Sequence, residues 1–289
     1  MATHGGRLQL DLFRSIPGDI APRDSQDLMA WPFFSLAKSK RTRPIDFRMG
    51  DTWILVEATA EHGMATIWDA DVLIWAASQI NEARDAGRPT SRLMATTPHN
   101  ILTFIGRGTG RDNYDRLKAG LDRLQSTTIA TSIRQPHQRR RHRFSWINEW
   151  KERLDETGRP LGIEMILPDW FYAGVLDQAL VLTIDRAYFD LTGGLERWLY
   201  RIVRKHGGRQ AGGWSFDVAH LHQKSGVLSP LKRFAFELRG IVSRQPLPGY
   251  TLGLDIVQGR ERLSFVAVPE DPFDVAMRRW SPKAVDNRR

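Results

Sequence analysis

Ser229-Pro-Leu-Lys-Arg-Phe-Ala-Phe-Glu-Leu-Arg-Gly-Ile-Val-Ser243 is the stretch on which the reading of this chain turns. Set out at about 100° per residue, Leu231, Phe234, Ala235, Leu238, Ile241 and Val242 cover one side of a helix, with Pro230 at its first position. The opposite side carries Ser229, Lys232, Arg233, Phe236, Arg239, Gly240 and Ser243, and Glu237 lies at the border. One face can anchor the helix to a domain while the other offers donors to a duplex major groove. Arg and Lys can donate to guanine edges. Ser229, near the N-terminus, can hold a phosphate with help from the helix dipole. Phe236 can touch a thymine methyl. The same pattern also describes an ordinary amphipathic helix with solvated charges, so its neighbours decide.

Those neighbours favour a reading helix. Ser215 to about Lys224 reads as a short helix, and Gly226-Val227 as a turn. After the quoted stretch, Tyr250–Val257 and Arg262–Val268 read as two strands around Gln258-Gly-Arg-Glu261. Arg260 and Arg262 would then approach a phosphate backbone or a minor groove. An ordinary charged turn is their other reading. Upstream, Ile184 to Leu191 leads into a helix over Leu195 to His206.

Earlier in the chain the same order is found. Strands lie on either side of Gly50-Asp51, between Pro44 and Thr59. Helices are expected at Asp69 to Ala86, Thr97 to Ile105 and Arg111 to Gln125. The third of these offers Arg111, Asn113, Arg116, Lys118 and Arg123. Strands follow at Thr127 to Ile133, Phe144 to Trp150 and Leu161 to Leu167. The loop Arg134-Gln-Pro-His-Gln-Arg-Arg-Arg-His-Arg143 is strongly basic, and Arg139, Arg140, Arg141 and Arg143 are candidate phosphate contacts. A solvated loop is the alternative. The expected fold is therefore α+β, with two tandem winged helix-turn-helix domains in a pseudo-repeat. The divisions are a flexible arm over 1–27, a first domain over 28–168, a connecting segment over 169–190, a second domain over 191–269 and a polar tail over 270–289.

Composition narrows the function. The chain has 289 residues, no cysteine and a formal net charge of +9. This length suits one large domain or two modest ones at ~100–200 residues each. Without cysteine there are no disulfides, thiolate metal sites or thiol nucleophile. No apolar run approaches the ~18–20 residues of a membrane span, and Met1 to Leu12 lacks the apolar core of a signal peptide. A cytoplasmic location is expected. The charge favours a polyanion, nucleic acid before anionic membrane.

Enzymatic signals are poor, and neither a cofactor nor a metal is expected. No phosphate-binding Gly-x-x-x-x-Gly-Lys-Ser/Thr motif is present. Gly106-Arg-Gly-Thr-Gly110 lacks the preceding strand of a phosphate loop and reads as a turn between helices. His220-Leu-His222 has the form of a nicking-enzyme metal pair, but in a helix rings at i and i+2 diverge by about 200°. Trp53, Trp68, Trp75, Trp198 and Trp214 read as core, with a base-stacking platform as the alternative.

Several of these segments together resemble the plasmid replication initiators of the replication initiator protein A family. They are Asp27-Leu-Met-Ala-Trp-Pro-Phe-Phe-Ser-Leu-Ala-Lys38, Ile45-Asp-Phe47, Gly110-Arg-Asp-Asn-Tyr-Asp-Arg-Leu-Lys-Ala-Gly-Leu-Asp-Arg-Leu124, Thr127-Thr-Ile129, Phe144-Ser-Trp-Ile147, Leu167-Pro-Asp-Trp-Phe171, Leu195-Glu-Arg-Trp-Leu-Tyr-Arg-Ile-Val-Arg-Lys-His206 and Ser229-Pro-Leu-Lys-Arg-Phe234. The resemblance runs from Asp27 through Val268. It implies tandem winged-helix domains that bind repeated duplex DNA sites at a plasmid origin, help open it and recruit host replication proteins. It also implies a possible homodimer. By position, the helix from Ser229 corresponds to the second domain's DNA-reading helix, with Lys232 and Arg233 the best-matched basic positions. The helix from Arg111 corresponds to the first domain's. A winged-helix repressor without an initiator role is the rival reading.

Overall fold

A computed structural model describes residues 10–135, 142–158, 160–208 and 212–268. In chain order the elements are β1 (Leu12–Arg14), β2 (Arg23–Ser25), α1 (Gln26–Ala30), β3 (Ile45–Met49), β4 (Thr52–Glu57), α2 (Ala70–Asp85) and β5 (Leu93–Thr96). Next come α3 (Pro98–Phe104), α4 (Arg111–Ser126), β6 (Thr128–Thr131), β7 (Arg143–Ser145), β8 (Glu149–Leu154), β9 (Pro160–Ile166) and α5 (Asp169–Leu176). The last are β10 (Val181–Thr183), α6 (Gly194–Gly207), β11 (Trp214–Asp217), α7 (Val218–Ser225), α8 (Leu231–Arg244), β12 (Tyr250–Val257) and β13 (Arg260–Ala267).

One topological unit occurs twice. In the first half, α2, β5, α3, α4, β8 and β9 occur in this order, with β6 and β7 inserted after α4, and the sheet order is β5-β9-β8 beyond the edge strand β1. In the second half, α6, β11, α7, α8, β12 and β13 follow one another, and the sheet order is β11-β13-β12. In both, the short strand between the first two helices pairs antiparallel with the last strand of the hairpin. A left-handed glycine closes the shorter helix of each pair, Gly106 after α3 and Gly226 after α7. Without a Cβ, glycine takes this conformation at little cost.

The hydrophobic pattern explains the elements. In the β3–β4 hairpin Ile45, Phe47, Ile54 and Val56 face inward, while Asp46 and Arg48 face solvent. Gly50-Asp51 makes the turn, with Gly50 at φ 56°. Helix α2 is buried on nearly every face from Ala70 to Ile80, which makes it the central support of the first half. Trp146 packs among Phe33, Phe34, Phe144 and Trp170 at ring-centroid distances of 5.4, 5.0, 5.9 and 6.2 Å. The apolar core continues without a break from Phe13 to Phe265.

Five expectations need correction. The basic loop joins β6 to β7, the strands expected on either side of it, but these are not the wing: they belong with β3 and β4 to a separate sheet, and the hairpin after α4 in the repeated unit is β8–β9. The expected strand Phe144–Trp150 is broken between β7 and β8, because Trp146 and Ile147 turn inward and the Trp146 amide donates to the Leu124 carbonyl at 3.1 Å. Ser215 to Asp217 is strand, not helix: Trp214 and Phe216 pair in register with Phe265 and Leu263. The segment before residue 28 is built into the fold from Leu12 onward, since β1 pairs with β5 and Asp24 is buried. The stretch 169–190 is likewise folded in, with Phe171 and Tyr188 buried and β10 paired with β2.

Candidate nucleic-acid interface

The turn before α8 is held from three sides. Gly226 sits at φ 63°, and a Cβ there would lie 2.9 Å from Pro32 Cβ. The His222 Nε2 lies 2.7 Å from the Ser229 carbonyl oxygen and ties the turn to α7. The buried Arg41 guanidinium donates to the Gly226 carbonyl at 2.7 Å. His222 is thus occupied within the fold, and His220 stacks on Phe216 at 5.6 Å.

From this turn α8 buries Phe234, Ala235, Leu238 and Ile241. Lys232, Arg233, Phe236, Arg239 and Ser243 are exposed, and Ser229 is half-buried. Leu231 departs from the expected apolar face: it is 42% exposed, because the first turn of the helix projects past the core. Phe236 is 64% exposed. Arg233 pairs with Glu237 at 2.7 Å, and Arg239 makes two bonds of 2.8 Å to Glu261 on β13. The hydrogen bonds to Glu261 and its charge raise the Arg239 pKa. Exposed pairs of this kind are screened by water, so they orient the guanidinium groups without withdrawing them from another anion. Lys232 has no carboxylate within ion-pair distance among the described residues. Arg260 stands at the hairpin tip. Arg262 does not; it lies on β13, where it meets Asp217 at 3.5 Å and donates to Ser215 at 3.0 Å.

In the first half, α4 exposes Arg111 and Arg116 and half-buries Asn113 and Lys118. Lys118 reaches Glu152 on β8 at 2.9 Å, bracing the helix against its hairpin. Arg123 makes two bonds to Asp69, at 2.8 and 2.7 Å, which raise its pKa. Gly120 leaves the room for that carboxylate, since a Cβ would meet Asp69 Oδ1 at 2.9 Å. Arg143 is exposed and pairs with Glu57. Arg139, Arg140 and Arg141 lie outside the described residues. The first arginine of the basic loop, Arg134, turns inward over Trp170 at 4.0 Å and pairs with Asp27 at 2.7 Å.

The expected tryptophans divide. Trp75 and Trp198 are buried, Trp53 and Trp68 are half-buried, and Trp214 is 44% exposed on a short edge strand.

The two halves meet through buried charge. Asp71 on α2 receives Arg197 of α6 at 2.8 and 2.9 Å and Arg107 of the α3–α4 turn at 3.1 Å. Asp24 receives Arg201 of α6 at 2.7 and 3.0 Å. None of these three ion pairs was read from the sequence, because Arg is ordinarily a surface residue. The clearest overlooked signal on the surface is Lys38-Ser-Lys-Arg-Thr-Arg43. This run faces α8 across a groove of about 1100 Å³. It faces Arg107, Asn113 and Arg116 across another of about 760 Å³.

Fold and surface define a duplicated α+β protein whose outer helices carry exposed cations, a basic face on α8 and Arg111 and Arg116 beside Asp112 and Asp115 on α4. The chain belongs to the replication initiator protein A family, whose model matches residues 23–252. It is 31% identical over 228 residues to a protein of Wigglesworthia glossinidia brevipalpis described as "Putative replication protein", across 78% of this chain and 82% of that one. A crystal structure of domains 2 and 3 of RctB superimposes with a TM-score of 0.63 at 13% identity, covering 85% of this chain and 99% of that one. A second structure of the same domains gives 0.56 at 12% identity, covering 84% and 97%. At those identities the likeness speaks to the fold. No helix among the described residues is long and apolar enough to cross a membrane.

Proposed function

We propose that this family member is a non-enzymatic plasmid initiator that binds repeated duplex sites at a replication origin through two winged-helix units. On this reading it helps open the origin, recruits host replication proteins, acts in the cytoplasm and can form a homodimer. The observation that carries the reading is the duplicated helix–strand–helix–helix–hairpin unit with a cation-bearing outer helix in each copy. Helices α4 and α8 are the elements that enter major grooves, and β8–β9 and β12–β13 are the wings. On α8, Lys232, Arg233 and Arg239 supply donors and Phe236 an apolar contact for a thymine methyl. Arg111 and Arg116 do the same on α4, with Asn113 suited to adenine. Arg260 at the second wing tip meets the backbone.

The test is binding of the purified protein to duplex repeats from its own replicon, against scrambled duplex, across a salt series. A preference for the repeats that persists as salt weakens all binding supports the reading. Lys232→Ala with Arg233→Ala removes two donors. Each base-reading contact is worth about 1–3 kcal/mol, so preference drops by tenfold or more while scrambled duplex is affected far less. Unchanged preference would show that α8 is not the reading helix.

A further inference from the structure

Most cations placed by the fold meet a carboxylate. On the helices above, Lys118, Arg123, Arg197, Arg201, Arg233, Arg239 and Arg244 do, whereas Arg111, Arg116 and Lys232, on the outer faces of α4 and α8, have none within ion-pair distance among the described residues. The run 38–43 does not. Among the described residues, no carboxylate lies within ion-pair distance of Lys38, Lys40, Arg41 or Arg43.

Nor is this run a loose tail. Arg41 is buried and donates to three carbonyl oxygens, those of Arg43, Pro44 and Gly226, at 2.9, 3.2 and 2.7 Å. The Arg41 carbonyl accepts from the Met64 amide at 2.8 Å. Lys40 donates to the carbonyls of Ala60 and Glu61 at 3.1 and 2.6 Å, and its stem lies where a side chain at Gly63 would stand. The Lys38 ammonium lies 5.6 Å from the centre of the Trp68 ring. Lys38, Lys40 and Arg43 remain exposed. Of the four like charges in these six residues, Lys38, Lys40 and Arg41 are thus fixed on carbonyls and an aromatic ring, and none of the four has a carboxylate within ion-pair distance among the described residues. Such an arrangement gains from an external polyanion.

Position tells which one. Ser39 and Lys40 line both grooves, the one beside Phe236, Arg239 and Ser243 of α8 and the one beside Asn113 and Arg116 of α4. We propose that Lys38, Lys40 and Arg43 form a phosphate-binding seam that holds the DNA backbone between the two reading helices, with Arg41 as the positioning residue that fixes the seam to the α7–α8 turn. This rests on the DNA-binding function above and adds a contact that belongs to neither helix nor wing.

Phosphate contacts position a duplex but carry no sequence information. The test is therefore the full chain with Lys38→Ala, Lys40→Ala and Arg43→Ala together, measured on repeat and scrambled duplexes from low to high salt. Affinity falls by a similar factor on both duplexes, and the preference between them stays. The slope of log affinity against log salt becomes shallower by about 2–3, near one unit per removed cation. A charge-conserving variant, Lys38→Arg, Lys40→Arg and Arg43→Lys, keeps the slope. An unchanged slope in the alanine variant overturns the seam. So does a loss confined to the repeats, or a charge-conserving variant that behaves like the alanine one. A wild-type protein with no preference for its repeats would instead sink the DNA-reading function itself.

Discussion

Asp71 carries the largest single-residue consequence. Its carboxylate faces Arg197 and Arg107, and both Asp71 and Arg197 are buried. Asp71→Asn leaves a buried guanidinium without its counter-charge, which costs about 3–5 kcal/mol. Urea unfolding should show that loss, and Asp24→Asn, facing Arg201, should show a similar one. His206 sets a pH dependence. Burial, then Lys205, Lys224 and His220, push its pKa from 6.5 down to about 4. The unfolded chain therefore binds this proton first as pH falls. Stability is fully present above about pH 6.5 and declines towards pH 4. His206→Phe should flatten that part of the profile in chemical unfolding at stepped pH. An unaltered slope would assign the acid sensitivity to other groups.

Among the elements, the α7–α8 turn has the tightest requirement. Gly226→Ala forces a left-handed alanine and brings its Cβ to 2.9 Å from Pro32. The conformation alone costs about 1–2 kcal/mol, to be read as a lower thermal midpoint. Phe236→Ala is the opposite case. The ring is mostly in solvent, so stability should move by no more than about 0.5 kcal/mol while binding to repeats weakens. Helices α2, α3, α4, α6 and α8 and the hairpins β3–β4 and β12–β13 were legible in the sequence, because their periodicity and turn residues agree. Strands β5 and β11 were not. Each has four residues, too few to show alternation, and each exists because the hairpin beside it offers a free edge. On α8 the outer face was legible, and Leu231 was misplaced because periodicity does not show where the core stops.

At the scale of the molecule, the repeat could be read, but its joints could not. Arg134 to Arg143 was read as a wing because three helices, a strand, a basic loop and a strand follow in the winged-helix order. The additional sheet formed by β3, β4, β6 and β7 takes that loop elsewhere. The first residues looked like an arm because they are polar. Asp24 is polar for another reason: it is one end of a buried ion pair with Arg201. With α6 tied to the first half by Arg197 and Arg201, the chain should unfold in one transition, with the same midpoint by circular dichroism and by tryptophan fluorescence. Two separated midpoints would mean that the halves are energetically independent.

The shared carboxylate of Asp71 makes the protein a caliper. It grips the turn that carries α4 through Arg107 and the helix that opens the second unit through Arg197, so one carboxylate on α2 sets the place of both jaws. On the proposed DNA-reading function, the target is defined by spacing as much as by letters. Adding roughly five base pairs between its two halves, about half a helical turn, would leave every base in place and put one half on the wrong side of the duplex.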